Sequence, residues 1–246
     1  FNNSNNSQIT LPGIYSSYRV SSIKLDPEED HTIWIGLFNA TQIPKLLKVQ
    51  NANTSSPTFI DNGLSSFPSG SWLNSINFNS RSNNDNLIIA FANSGVENIW
   101  LSPDEGVTWG SLDGNLPNSM LQPGANAKLF VNDALFISTN KSPTGYFVLV
   151  ATNLGLWYTA EMVGSSTIWL RDDKFPYLDV RTIKYRYNDK VLAIGTYGHG
   201  VWMSKKLSNN PVEADFFVSH TEQTVNNFIS FYDQSFSSIK RKKILT

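Results

Sequence analysis

The amino-acid sequence predicts an all-β fold built from a repeated group of strands. Three observations carry this prediction: apolar runs recur along the chain, their apolar residues are consecutive or alternate without helical spacing, and turn-forming residues separate the runs. The first kind of run occurs at 32–39 (TIWIGLFN), 87–93 (LIIAFAN), 147–153 (FVLVATN) and 191–197 (VLAIGTY). Each of these runs is a strand candidate closed by small or turn-forming residues.

A second apolar run follows three of these segments and has a fixed pattern: an aliphatic residue, Trp, one further residue and a hydroxyl residue. It occurs at 99–102 (IWLS), 156–159 (LWYT) and 201–204 (VWMS). Farther along each repeat an aromatic residue precedes a Phe-Pro or Leu-Pro pair, as Phe59, Trp109 and Trp169 do. Further strand candidates lie after the Pro residues, at 20–25, 72–78, 128–138 and 180–187.

Four short strands per repeat, with turns between them, are typical of a β-propeller blade. One blade cannot bury both of its faces, so large aromatic residues are expected at equivalent positions between neighbouring blades. The sequence contains three such units and three strands of a fourth, whereas propellers close with about four to eight blades. We therefore expect a partial propeller over residues 1–207, completed by N-terminal blades of the same polypeptide or by another chain.

Composition excludes several classes of function. The 246 residues include 19 basic and 20 acidic side chains, for a formal net charge of -1, so no global field attracts nucleic acid or an anionic membrane. No apolar run is long enough for a membrane span, and we interpret the basic run at 240–243 as a solvated tail. The lack of Cys excludes disulfides, thiolate metal sites and a Cys nucleophile. Zinc-type His spacing and nucleotide-binding glycine loops are also missing, so we expect no metal and no cofactor.

The segment SPDEGVTW at 102–109 places a hydroxyl, an acid, a glycine and Trp in eight residues between two strand candidates. It resembles the Asp-box of the BNR propellers, which include sialidases, xyloglucanase-type hydrolases and the Vps10 luminal domain. The phrase TYGHGVW at 196–202 is similar to another phrase of that group, with His199 where Arg is common. The resemblance implies a structural hairpin on the periphery of the propeller, away from the ligand face. The matching residues are Ser102, Asp104, Gly106, Thr108 and Trp109.

The chain changes character after a short linker at 208–211. Residues 212–246 begin with alternating apolar positions, and they resemble the opening of a PKD-type domain through Ala-Asp-Phe at 214–216 and Phe-x-Asp-x-Ser at 231–235. This resemblance implies the start of an immunoglobulin-like β-sandwich, cut short. A propeller followed by a PKD-like domain is similar to modular bacterial secreted and cell-surface proteins, so we expect an extracellular location.

Candidate ligand-binding residues lie on the loops that precede the first strand of each repeat and follow the second. Aromatic rings there are suited to stacking on sugar faces, although packing between blades is the alternative interpretation. A histidine between two glycines lies on the same loops. The candidates are Trp72, Tyr177, Tyr197 and His199.

Candidate catalytic acids on these loops are few: Glu97, Asp113, Asp172, Asp173 and Asp179. Glycoside hydrolysis requires two carboxylates, about 5–5.5 Å apart for retention and about 6.5–9.5 Å apart for inversion. Asp173 and Asp179 are the candidate pair, and solvated turn residues are the alternative. The six Arg residues do not form a recognisable sialidase clamp in the sequence.

These observations lead to two functional hypotheses. The first is a non-catalytic extracellular propeller module that binds a polysaccharide or a protein partner at the cell surface. The alternative is the C-terminal part of a secreted Asp-box glycoside hydrolase whose catalytic acids lie mostly in blades outside this sequence. Neither hypothesis involves nucleic acid or insertion into a membrane.

Overall fold

A computed structural model describes residues 8–79, 86–116, 129–138 and 146–204, and the backbone of 216–218 and 231–233. The fold is all-β, and within the described residues all sheets are antiparallel meanders. Two short 3-10 turns, Gly13–Tyr15 and Gly164–Ser166, are the helical elements of this part of the chain. The described part contains no helix with the length and apolar character of a membrane span.

Sheets I to III each contain four strands in chain order. Sheet I consists of β1 (Arg19–Leu25), β2 (Ile33–Phe38), β3 (Lys45–Gln50) and β4 (Thr58–Asp61). Sheet II consists of β5 (Leu73–Phe78), β6 (Leu87–Phe91), β7 (Ile99–Ser102) and β8 (Gly110–Ser111). Sheet III consists of β9 (Val131–Ser138), β10 (Tyr146–Thr152), β11 (Gly155–Thr159) and β12 (Leu170–Arg171).

Sheet IV has three strands, β13 (Val180–Arg186), β14 (Val191–Thr196) and β15 (Val201–Ser204). A separate pair, β16 (Phe216–Val218) and β17 (Phe231–Asp233), aligns Phe217 with Tyr232. The strand candidates of the sequence agree with these bounds to within a few residues, and the four-strand repeat matches sheets I to III.

The chain forms two compact units. One comprises 1–184 with 194–202, and the other comprises 185–193 with 203–246. The linker expected at 208–211 and the basic run at 240–243 lie outside the described residues. The domain boundary and the immunoglobulin-like sandwich therefore stay predictions.

The apolar core of the larger unit lies between consecutive sheets. One cluster joins sheets I and II and includes Trp34, Leu73 and Trp100, while a second joins sheets II and III and includes Ile99 and Trp157. Trp100 and Trp157 occupy the same place in the third strand of their sheets, and both are buried against the preceding sheet. The repeated Trp of the sequence is thus a packing residue in sheets II and III.

A bulge recurs near the start of the first strand in three sheets, because the register shifts after Val20, Leu73 and Val131. The residues at the bulge in sheets II and III are Asn74 and Asn132. Asn74 donates a side-chain hydrogen bond to the Asn132 carbonyl, and Asn132 donates one to the Val180 carbonyl. These bonds link the first strand of sheet II to that of sheet III and the first strand of sheet III to that of sheet IV, so β5, β9 and β13 lie side by side.

Candidate functional site

The SPDEGVTW segment forms the tight connection between β7 and β8. The Ser102 hydroxyl donates to Asp104 Oδ1 at 2.8 Å and accepts from the Gly106 N–H at 2.6 Å. The Asp104 carboxylate accepts from the Thr108 N–H at 2.7 Å and from the Thr108 hydroxyl at 2.6 Å. Glu105 and Gly106 take left-handed φ angles of 51° and 83°, which close the turn.

This connection is anchored to sheet I. Trp109 Nε1 donates to the Asn62 carbonyl at 2.9 Å, and the Glu105 carboxylate lies 3.0 Å from the Lys48 ammonium. A side chain at position 106 would come within 3.1 Å of Asn62, which is a second reason for Gly106. The matching residues of the segment are therefore used in hydrogen bonds and packing within the scaffold, as expected for a structural turn.

Partial burial acts to raise the pKa of Asp104, but the hydrogen bonds from Thr108 and Ser102 outweigh it and lower the pKa of this carboxyl. A carboxylate held ionised by its own turn is poorly suited to donating a proton as a general acid. This electrostatic setting agrees with a structural role for Asp104.

Trp72 lies directly before β5 with its ring partly exposed. Its N–H donates to Asn93 Oδ1 at 2.7 Å, and its carbonyl accepts from the Ala92 N–H at 2.9 Å. The ring lies against Phe38 with a centroid separation of 4.5 Å and remains 37% exposed. Backbone and ring are both held, so Trp72 presents a fixed indole face.

Phe130 occupies the equivalent place before β9, and the sequence interpretation missed it. Its N–H donates to Asn153 Oδ1 at 2.8 Å, and its carbonyl accepts from the Asn153 N–H at 3.2 Å. The ring is 38% exposed, almost the same fraction as that of Trp72. A strand candidate at 128–138 had placed Phe130 inside a strand, but β9 begins at Val131. The signal that could have found it is the Asn that closes both FAN (91–93) and ATN (151–153).

Tyr177 and Tyr197 each lie beside an Arg. The Arg171 guanidinium carbon is 3.4 Å from the centroid of the Tyr177 ring, and the Arg181 guanidinium carbon is 5.2 Å from that of Tyr197. Arg171 is held by a 2.7 Å hydrogen bond to the Phe175 carbonyl. The two phenol rings are 51% and 70% exposed, so they remain accessible despite these cation–π contacts.

His199 lies in the exposed turn between β14 and β15. Its Nδ1 is 3.1 Å from the Tyr197 carbonyl oxygen. The flanking Gly198 and Gly200 have φ angles of 76° and 75°, which a residue with a side chain rarely adopts. The turn therefore requires glycine on both sides of the exposed imidazole.

The two candidate catalytic acids differ in surroundings. Asp179 Oδ2 lies 2.5 Å from the Arg181 guanidinium, and Asp179 Oδ1 accepts from Asn132 Nδ2 at 3.2 Å. Asp173 is exposed in the turn before Phe175. Asp179 is therefore the partner of a cation, and its pairing with Asp173 as catalytic acids stays a prediction.

Asp113 differs from the other loop acids because its side chain is buried. Its carboxylate accepts from the Asn98 N–H at 2.7 Å and from the Ile99 N–H at 2.6 Å. Burial raises its pKa to about 6, while those two N–H groups act in the opposite direction and the charge of Glu97 raises it further. Asp113 thus closes the end of β7 and does not face solvent.

Within the described ranges, no group of three His, Asp or Glu side chains is arranged to hold a metal ion. A scan against protein-family models finds no match for this sequence, and a search of curated proteins finds no significant match. The resemblances to Asp-box propellers and PKD-type domains therefore stay predictions from the quoted residues.

Proposed function

We propose that this protein is a non-catalytic carbohydrate-binding module. The observation that carries the proposal is the pair of exposed rings at equivalent positions, Trp72 and Phe130, whose backbone N–H groups are each held by an asparagine from the loop after the second strand. Aromatic faces that are rigid before binding lose little conformational entropy when a sugar ring stacks on them. Tyr177 and Tyr197 add two accessible rings beside guanidinium groups.

The proposed architecture is an incomplete β-propeller of Asp-box type. It is supported by the side-by-side first strands and by the buried Trp at the same place in sheets II and III. Further support comes from apolar side chains that are exposed on sheets I and IV, namely Ile23 on β1 and Val201 on β15. Further blades of the same polypeptide would cover these faces, in the way that Ile76 and Ile99 are covered.

The proposed location is the bacterial cell surface or the extracellular medium, with the chain after 212 as a PKD-like spacer. This part of the proposal rests on the sequence resemblance. The hydrolase alternative receives no support from the described loops, since Asp179 is paired with Arg181.

A glycan array tests the proposal. We expect the protein to retain a polysaccharide class, and the double variant Trp72→Ala, Phe130→Ala to lose about tenfold or more of the affinity, because each stacked ring contributes about 1 kcal/mol or more. Val107→Ala is the matched control, since Val107 is 73% exposed but lies in the β7–β8 turn. Equal binding by the unsubstituted protein, the double variant and the control would refute the aromatic site. Retention of protein partners but of no glycan would replace the proposal by a protein-binding function. Turnover of a retained glycan would favour the hydrolase.

A further inference from the structure

A cluster of polar side chains links the first strands of all four sheets. Lys24 Nζ, on β1, donates to Asn77 Oδ1, on β5, at 2.6 Å. Asn77 Nδ2 in turn lies 3.4 Å from Asp133 Oδ1, on β9. Lys184 Nζ, on β13, lies 2.9 Å from Asp133 Oδ2. Two ammonium groups are therefore joined through one amide and one carboxylate.

The Asp133 carboxylate is fully used within this cluster. Its Oδ1 accepts from the Ser75 hydroxyl at 2.6 Å, and its Oδ2 accepts from the Thr182 hydroxyl and the Ile183 N–H, both at 3.1 Å. The side chain is 8% exposed. These donors hold the Asp133 carboxylate in place, because hydrogen bonds to a carboxylate are stronger than those between neutral groups.

The charges of the cluster do not balance. Two lysines face one carboxylate, and within the described residues no carboxylate forms an ion pair with Lys24. Burial lowers the pKa of Lys24, and the charge of Lys184 lowers it further, while Asp133 acts in the opposite direction. The side chain of Lys184 is 70% exposed, so the cluster is open to solvent on that side.

We propose that Lys24 and Lys184 bind a ligand carboxylate, such as that of an acidic sugar. The uncompensated charge of the cluster is a single positive charge, which one carboxylate neutralises, whereas a divalent phosphate leaves an excess of negative charge beside Asp133. The side chains of Asn77 and Asp133 hold the two ammonium groups before the ligand arrives. This site shares no residue with the aromatic pair, and its ligand is defined by charge.

An NMR titration with sodium glucuronate tests the inference in the intact protein. We expect glucuronate to shift the lysine side-chain resonances of Lys24 and to raise the pKa of Lys24, because a bound carboxylate favours the charged ammonium. The neutral methyl ester of glucuronate and an equal concentration of sodium chloride should leave both unchanged. An equal response to the ester or to chloride overturns the proposal.

Lys→Gln variants distinguish a specific glucuronate site from general attraction of an anion to lysine side chains. Lys24→Gln and Lys184→Gln should each weaken glucuronate binding about tenfold, the effect expected for loss of one charged hydrogen bond. Lys45→Gln is the matched control, because Lys45 pairs with a single carboxylate, that of Asp61, at 2.8 Å. Unchanged binding by the first two variants, or an equal loss in the third, contradicts the inference. The Trp72→Ala, Phe130→Ala protein should bind glucuronate normally, so failure here is distinct from failure of the aromatic site.

Discussion

The buried carboxyl groups of Asp133 and Asp113 have different hydrogen-bond donors. Asp133 is surrounded by an ammonium group, two hydroxyls and an N–H from neighbouring strands, so its charge is satisfied from several directions. Among the described residues, Asp113 accepts hydrogen bonds from backbone N–H groups alone, those of Asn98 and Ile99, and no cation is among the causes of its pKa shift. Burial therefore disfavours the ionised form of Asp113.

The pH dependence of stability follows from the raised pKa of Asp113. The folded pKa of about 6 lies above the ordinary Asp value of 3.8, so the folded state holds this proton more tightly than the unfolded state does. Its contribution to the free energy of unfolding is therefore fully present below pH ~4 and falls by about 2–3 kcal/mol as the pH rises to ~6.

Urea denaturation from pH 4 to 7 measures this contribution, with Asp113→Asn as the comparison. The difference in unfolding free energy between the two proteins should change across this window in favour of the variant. A pH-independent difference contradicts the assignment, as does an Asp113 carboxyl resonance that titrates near pH 4.

The turn residue Asp104 gives a second prediction at this scale. Asp104→Ala removes the acceptor for two Thr108 donors and for Ser102. We expect a loss of about 1–2 kcal/mol in unfolding free energy, with glycan binding unchanged, because these hydrogen bonds are internal to the turn. Thermal unfolding and the glycan array measure the two quantities. Loss of binding at full stability would assign Asp104 to a ligand site instead.

At the scale of strands and sheets, two buried tryptophans differ in hydrogen bonding. Trp169 Nε1 donates to the Leu112 carbonyl at 2.7 Å, whereas Trp157 Nε1 has no partner among the described residues. Both side chains are buried between sheets II and III.

Trp→Phe substitutions test this difference. Trp169→Phe leaves the Leu112 carbonyl unpaired and should cost about 1–3 kcal/mol more than Trp157→Phe, which removes an unsatisfied donor together with the same volume. Chemical denaturation of the two variants gives the comparison directly. Equal losses would indicate that lost packing volume alone decides the cost.

The strands themselves could be predicted because their signals are local. Alternating and continuous apolar runs located β2, β6, β10 and β14, and the Trp pattern located the strand that follows the last three of them. The bulges at Asn74 and Asn132 could not be predicted, since those side chains bond to the next sheet and the pattern of one strand does not specify its neighbour. Phe130 was missed for a different reason, because its exposure depends on where pairing with β10 of the same sheet begins.

At the scale of the molecule, sheets I and IV expose apolar residues whose equivalents in sheet II are buried. Ile23 on β1 is 64% exposed, while the equivalent Ile76 on β5 is 4% exposed. Val201 on β15 is 74% exposed, while the equivalent Ile99 on β7 is fully buried. Apolar faces of this kind favour association with another surface.

We expect concentration-dependent self-association of the isolated chain. Ile23→Glu with Val201→Glu should shift the protein toward monomer, because a charge on each face opposes its burial. Sedimentation velocity measures the effect, and Val163→Glu is the control, since Val163 is 59% exposed in the loop between β11 and β12. Association that is unchanged by the double substitution, or equally reduced by the control, would assign it to another surface.

The sequence by itself determined the all-β class, the four-strand repeat and the turn chemistry of residues 102–109, because spacing, glycine conformation and short-range hydrogen bonds are properties of neighbouring residues. Only the tertiary structure decided which rings stay exposed, which carboxylates are paired and which lysines converge. Those properties depend on residues about fifty positions apart, such as Asp133 and Lys184, which become neighbours when successive sheets pack.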